Sequence, residues 1–277
     1  MKLVNNLFRL PSRPVALIAA FLTLVFSWSL WSTNVSSAAI QQLHYTALGD
    51  SLAFGALALP GLGYVPRYER ILENDLSVNV ALAPLGIPGW MSGDLVKALR
   101  GNFVYRVSVF FSEVITWDAG GNDINAARTR YKDRTCGPST DPERCLKDAV
   151  SAFKGNWDGI LGEFMALRRA RPTLLRTMDI YNPFVSIDKN ADTVLGDAGN
   201  DFVVLKQHLD EVNAYIATTA TDNKVLYARV YAAFNGVNGD EDPGAKGLLA
   251  DGFHPNTSGH AVIAQALRNL GYAATVP

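Results

Sequence analysis

Five short apolar runs punctuate the chain, at Leu43–Leu48, Val78–Leu82, Val114–Asp118, Leu174–Ile180 and Val225–Val230. Their length and β-branched content read as strands. Between them, apolar residues recur at helical spacing. Tyr64–Asn74 carries Val65, Tyr68, Ile71 and Leu72 on one face, and Phe202–Ala220 carries Phe202, Leu205, Leu209, Val212 and Ile216. Glu143–Arg169 is a longer helical pattern, with Gly155 and Gly162 as points where it could break. Thr257–Leu270 closes the chain as a helix, with Asn256 or Thr257 as its N-cap. Strands alternating with crossover helices predict an α/β domain around a parallel sheet. No repeat or composition break follows residue 40, so the pattern predicts one domain over 40–277.

Residues 1–39 have a different pattern. Lys2, Arg9 and Arg13 precede the uncharged run Val15–Trp31, and the small residues Ser36-Ser37-Ala38-Ala39 follow. This is the layout of a secretory signal peptide cut after Ala38 or Ala39. The apolar run is long for a signal peptide, so an uncleaved signal anchor is the alternative. Both readings place the rest of the chain outside the cytoplasm, and only the anchor makes a membrane a partner.

Composition adds little to the fold and narrows the partners. The 277 residues are 48% hydrophobic and 18% charged, enough for a sizeable core, and the formal net charge is −1. Without a basic tract, the chain has no electrostatic reason to bind nucleic acid. The two cysteines, Cys136 and Cys145, read in an exported chain as one local disulfide, against two free thiols. Closing so short a loop contributes about 2–3 kcal/mol. A tetrahedral metal site would need further ligands, and no His or third Cys lies near them. The acidic loop Gly239-Asp240-Glu241-Asp242-Pro243 lacks EF-hand spacing and reads as a solvated loop.

The candidate chemistry follows the strands. Gly49-Asp50-Ser51-Leu52 comes after the first, Gly120-Gly121-Asn122-Asp123 after the third, and Asp251-Gly252-Phe253-His254-Pro255-Asn256 precedes the last helix. In open parallel sheets, ligands bind beyond the carboxyl ends of the strands, so these loops converge on one edge. Ser51, at a turn between a strand and a helix, can serve as a nucleophile. It can equally cap that helix. Of four histidines, His44, His208 and His260 read as structural or surface residues. His254 lies in a turn, three residues after Asp251, which can fix its tautomer as a triad acid must. Asn122 offers an amide, and Gly89 a backbone N–H, for an oxyanion. Turn chemistry is the alternative for both. Gly86 competes with Gly89, and Asp123 reads as a structural hydrogen-bonding residue.

Together these motifs resemble the SGNH, or GDSL, hydrolases over about residues 43–272. The resemblance implies a three-layer α/β/α, flavodoxin-like domain with a central, mainly parallel five-stranded sheet. It implies hydrolysis of carboxylic esters through an acyl-enzyme, with neither metal nor cofactor. By position, Ser51 is the nucleophile, His254 the base and Asp251 its orienting acid. Ser51, Gly89 and Asn122 form the oxyanion hole. The Asn that usually stands just before the glycine block is absent here. Within this reading the protein is an exported monomer acting on a small-molecule or glycan ester. Short-chain or carbohydrate acyl groups are favoured over long-chain lipids, because no extended apolar lid segment is visible. Trp90, Trp117 and Phe253 flank the motifs, and core packing is the expected role of Trp117. The alternative from another class is a catalytically silent, surface-anchored binding protein on the same fold.

Overall fold

The computed structural model describes residues 41–138, 140–194 and 199–274. The signal peptide or anchor expected over 1–39 lies outside the described residues. The remainder, Ile40–Pro277, folds as one unit. In chain order its elements are β1 (Gln42–Gly49), α1 (Ser51–Phe54), α2 (Tyr64–Leu76), β2 (Asn79–Gly86), α3 (Ser92–Gly101), α4 (Phe103–Phe111), β3 (Val114–Trp117) and α5 (Gly121–Lys132). They continue with α6 (Arg144–Leu167), β4 (Leu174–Met178), α7 (Val185–Lys189), α8 (Asp201–Asp222), β5 (Leu226–Ala228), α9 (Val230–Asn235) and α10 (Thr257–Arg268).

All four strand pairings are parallel, and the sheet order is β2-β1-β3-β4-β5. That is the flavodoxin-like order, whose topological switch lies between β1 and β3. Alternate residues of each strand point to opposite faces, and the two faces bury different helices. Leu48, Ile115, Trp117 and Leu175 pack with α3, α4, α6 and α8. Tyr45, Ala47, Val114 and Leu174 pack with α2, α9 and α10. The three-layer α/β/α architecture follows from this alternation. Among the described residues, no helix is long and apolar enough to cross a membrane.

Three of the differences from the sequence pattern have a plain physical reason. β2 extends to Gly86, past Pro84, with Gly49 paired to Gly86. It is an edge strand, where a residue without an N–H costs no ladder bond if it faces outward. α6 runs unbroken for 24 residues. A Cβ at Gly155 or Gly162 would meet no neighbour, so these glycines only lower local propensity. Burial of Phe153, Trp157, Ile160 and Phe164 outweighs that cost. β5 ends at Ala228, because Val230 already begins α9.

Cys136 and Cys145 are joined in a disulfide that pins the loop entering α6. Both half-cystines are buried against Ala127, Tyr131 and Leu146. In the acidic loop, Lys246 pairs with Glu241 at 2.9 Å, and Lys189 approaches Asp240 at 3.9 Å.

Candidate active site

The turn after β1 is built around a close approach. Gly49 has φ +140°, and a Cβ there would lie 2.4 Å from the Asp118 carboxylate. Only glycine lets that carboxylate fold over the strand end. Asp118 Oδ2 then accepts the Asp50 N–H at 3.0 Å, and Oδ1 accepts the Tyr64 hydroxyl at 2.9 Å. Asp50 caps α1 by accepting the Leu52 N–H at 2.9 Å. Ser51 is thereby fixed as the first residue of α1, with its hydroxyl 3.5 Å from Asp50 Oδ1. The Ser51 N–H has no acceptor among the described residues.

Two buried carboxyls so close cannot both ionise freely. Burial pushes Asp50 up from the ordinary carboxylate range. Burial, reinforced by the charge of Asp50, pushes Asp118 well above it. The sequence pattern treats Asp50 and Asp118 as a turn residue and a strand end. The capping preference of Asp before a helix was a signal for Asp50, but nothing local marks Asp118.

Asn122 comes from the first turn of α5, after β3. Its amide donates to Trp90 O at 2.8 Å and to Asp50 Oδ2 at 3.3 Å. The first of these bonds holds the turn Ile87-Pro88-Gly89-Trp90 against Asn122. That turn closes with the Trp90 N–H on Ile87 O at 3.2 Å, and Gly89 takes φ +83°, the third position of a type II turn. Gly89 is exposed and sits beside the cleft rather than in its wall. Gly86 has a steric role, since a Cβ there would meet Ala53 and Phe54 of α1 within 2.7 Å. Asp123 accepts the Ser92 N–H and hydroxyl, as befits the structural residue the sequence suggests.

His254 lies in the loop before α10. Its Nδ1 meets Asp251 Oδ2 at 2.8 Å, and its backbone N–H donates to Asp251 Oδ1 at 2.7 Å. With Nδ1 as donor, Nε2 is left as the basic nitrogen. Partial burial raises Asp251, but the His254 ring bond and the two backbone N–H groups of His254 and Phe253 outweigh it. The acid is held at about 2. The other histidines are committed elsewhere. His44 pairs with Glu113 at the surface, and His208 meets Glu143. His260 accepts the Tyr64 N–H on Nδ1 and donates from Nε2 to Ala56 O, and burial lowers its pKa.

One cleft at the carboxyl ends of β1, β3 and β4 brings Ser51, Asn122 and His254 together, with Asp50 and Asp118 in its wall. His254 is not hydrogen-bonded to Ser51 in this structure, and such bonds often tighten only when substrate binds. Phe253 lines the cleft and stacks on Phe184. Trp117 is wholly buried in the core, and Trp90 stacks on Tyr105. Asp179 also lines the cleft. Burial lifts it to about 6 against the opposing N–H of Tyr231. Among the described residues, no group of three or more His, Cys, Asp or Glu could hold a metal ion.

A profile of the GDSL-like Lipase/Acylhydrolase family matches residues 47–262. The chain is 29% identical to the spore germination lipase LipC of Bacillus licheniformis, over 83% of this chain and 97% of that protein. Among solved structures it is similar to the lipase Lip_vut3 from a goat rumen metagenome, with a TM-score of 0.68 and 26% identity. That match covers 83% of this chain and 98% of the other. A mutant of Axe2, an acetyl-xylooligosaccharide esterase from Geobacillus stearothermophilus, shares the fold at TM-score 0.57 and 18% identity. It covers 84% of this chain and 96% of that one.

Proposed function

The chain belongs to the GDSL-like Lipase/Acylhydrolase family, and on that premise we propose that it is an exported serine esterase acting on short-chain acyl esters. The observation that carries the reading is the convergence of Ser51, Asn122 and His254 on one cleft, with Asp251 holding the far side of the imidazole.

In the proposed reaction, His254 Nε2 takes the Ser51 proton as Ser51 Oγ attacks the ester carbonyl. The tetrahedral oxyanion is met by the Ser51 N–H and the Asn122 amide, and the Gly89 N–H joins them as its turn, which rests beside the cleft, closes over the ester. Collapse breaks the bond to the alcohol, which leaves with the proton from His254. Water, activated by the same base, then releases the acid and restores Ser51. Asp251 stays ionised throughout and stabilises the imidazolium of each half-reaction. The Asn122 amide must turn from Asp50 and Trp90 toward the oxyanion, so its present bonds are a resting arrangement. Asn122→Ala is expected to lower kcat by about 100–1,000-fold with a smaller change in KM.

Neutralising Asp251 tests its role beside the base. With Asp251 held at about 2, it stays ionised across the working range. Asp251→Asn keeps the shape of the side chain but removes the anion that fixes the tautomer and stabilises the imidazolium, so kcat is expected to fall by about 10,000-fold at neutral pH. Asp179, lifted to about 6, titrates close to neutral pH, so the comparison is made in an Asp179→Asn background. A kcat little changed when Asp251 is neutralised would overturn its assignment.

Export is supported by the sequence pattern over 1–39 and by the buried disulfide, a bond that persists in oxidising compartments. The deciding experiment for the whole reading is reaction with a fluorophosphonate, followed by peptide mass analysis. The adduct is expected on Ser51. A folded protein that takes up no label would point instead to a silent binding protein on this fold.

A further inference from the structure

The cleft does not end at the triad. Its lining runs from Ser51 to residues of α5 and α8 (Asp201–Asp222), and the exposed wall of the cleft as a whole is mainly apolar. Gly121, Ile124, Asn125 and Arg128 supply one face of α5, at the spacing that stacks side chains along a helix. Leu205 and Leu209, one turn apart on α8, face them and are almost wholly buried. His254, which must hand a proton to the leaving alcohol, lies at the outer rim, and its partner Asp251 is exposed. The alcohol therefore leaves toward solvent, and the deep apolar arm is left for the acyl group.

The far end of this arm is closed by an ion pair. Arg128 donates from Nε and Nη2 to the two oxygens of Asp188, at 2.9 and 2.6 Å. Asp188 is 1% exposed. The guanidinium also lies 3.8 Å from the centre of the Phe184 ring, which itself stacks on Phe253. The pair thus fixes the short helix α7 across the end of the groove. A fork matched to a carboxylate in this way is geometrically rigid.

We infer that the groove between α5 and α8 is an acyl-chain subsite whose length is set by the Arg128–Asp188 pair, an inference that rests on the esterase reading above. Asn122 and Arg128 are six residues apart on α5, about 9 Å along its axis. An extended chain advances about 1.2 Å per bond, so the subsite holds roughly six to eight carbons. Shorter acyl groups leave apolar wall unfilled, and longer ones meet a desolvated charge pair.

The test measures kcat/KM for p-nitrophenyl acetate, hexanoate, octanoate, dodecanoate and palmitate, beside a set of acetate esters of different alcohols. The wild type is expected to prefer hexanoate or octanoate over acetate and to fall sharply at dodecanoate. Leu209→Trp, which fills the groove, should raise the acetate-to-octanoate ratio by on the order of 100-fold. Arg128→Ala/Asp188→Ala removes both charges together; Lys132, which also reaches Asp188 at 3.4 Å, keeps its shorter pairing with Asp201. The double variant should shift the optimum to dodecanoate. Octanoate binding to Ser51→Ala, followed by calorimetry, gives a readout independent of turnover and should weaken in Leu209→Trp. An acyl profile unmoved by either variant, or a Leu209→Trp effect confined to the alcohol series, would overturn the subsite while leaving the esterase reading intact. A wild type inactive on every ester and unlabelled by fluorophosphonate would overturn both.

Discussion

Ser51→Ala is expected to lower kcat on p-nitrophenyl butyrate by roughly a millionfold while leaving the urea midpoint almost unchanged. The two halves of that result separate the two readings of Ser51. As a nucleophile, it makes the bond that defines the acyl-enzyme, and nothing else in the cleft can replace it. Residual activity then comes only from binding and the oxyanion donors. As a mere first residue of α1, it would matter little to either measurement. The cap of that helix is Asp50, which keeps its bond to the Leu52 N–H when Ser51 is truncated, and the buried Ser51 hydroxyl gives up only a long bond to Asp50 at 3.5 Å, a loss of about 1 kcal/mol or less. A variant that retains a tenth of wild-type turnover would make Ser51 structural. Steady-state kinetics with equilibrium unfolding of the same preparation decide the matter.

Gly49→Ala is expected to have the largest effect on stability, about 2–6 kcal/mol, read as a fall in the urea midpoint. Two costs combine. At φ +140° an L side chain is strained, worth about 1–3 kcal/mol. Its Cβ would also stand 2.4 Å from Asp118 Oδ1, and relieving such overpacking costs about 1–3 kcal/mol more. The double variant Gly49→Ala/Asp118→Ala separates them. Without the carboxyl the clash is gone, so the alanine at 49 should cost less in that background, and the coupling measures the steric part. Additive effects would show that the contact is not felt. Activity should fall in the single variant as well. A displaced Asp118 no longer receives the Asp50 N–H, and that bond holds the turn presenting Ser51.

Much of this arrangement was legible in the chain. The strands emerged from apolar runs because β1, β3 and β4 are deeply buried, and the half-buried edge strands β2 and β5 still carry enough apolar residues to stand out. Ser51, Asn122 and His254 could be placed at one edge because parallel strands put all their following loops on the same side. His254 stood out from His208 and His260 because the latter two lie within helical patterns, and the structure gives both buried structural partners. What was not legible depends on pairs distant in sequence. Asp118 meets Asp50 and Tyr64 across more than fifty residues. Arg128 meets Asp188 sixty residues away, and each is unremarkable among its neighbours. The short helices α1, α7 and α9 carry too few turns to show a period. They owe their conformation to the caps and contacts around them. The glycine of the proposed oxyanion hole was ambiguous for a related reason. Gly86 and Gly89 both answer to backbone demands, one to packing on α1 and one to a turn.

The chain supplies its proposed nucleophile near one end and its proposed base near the other, and the two are reconciled only when α10 docks. Tyr64 and Ala56 are bound by His260, and Asp75 by Arg268, so the last helix clamps the segments that follow Ser51. Domains emerge and fold from the N-terminus during synthesis. On the proposed reading, a growing or truncated chain therefore carries Ser51 without the base that activates it. Such a hydrolase would stay inert until its final helix is in place.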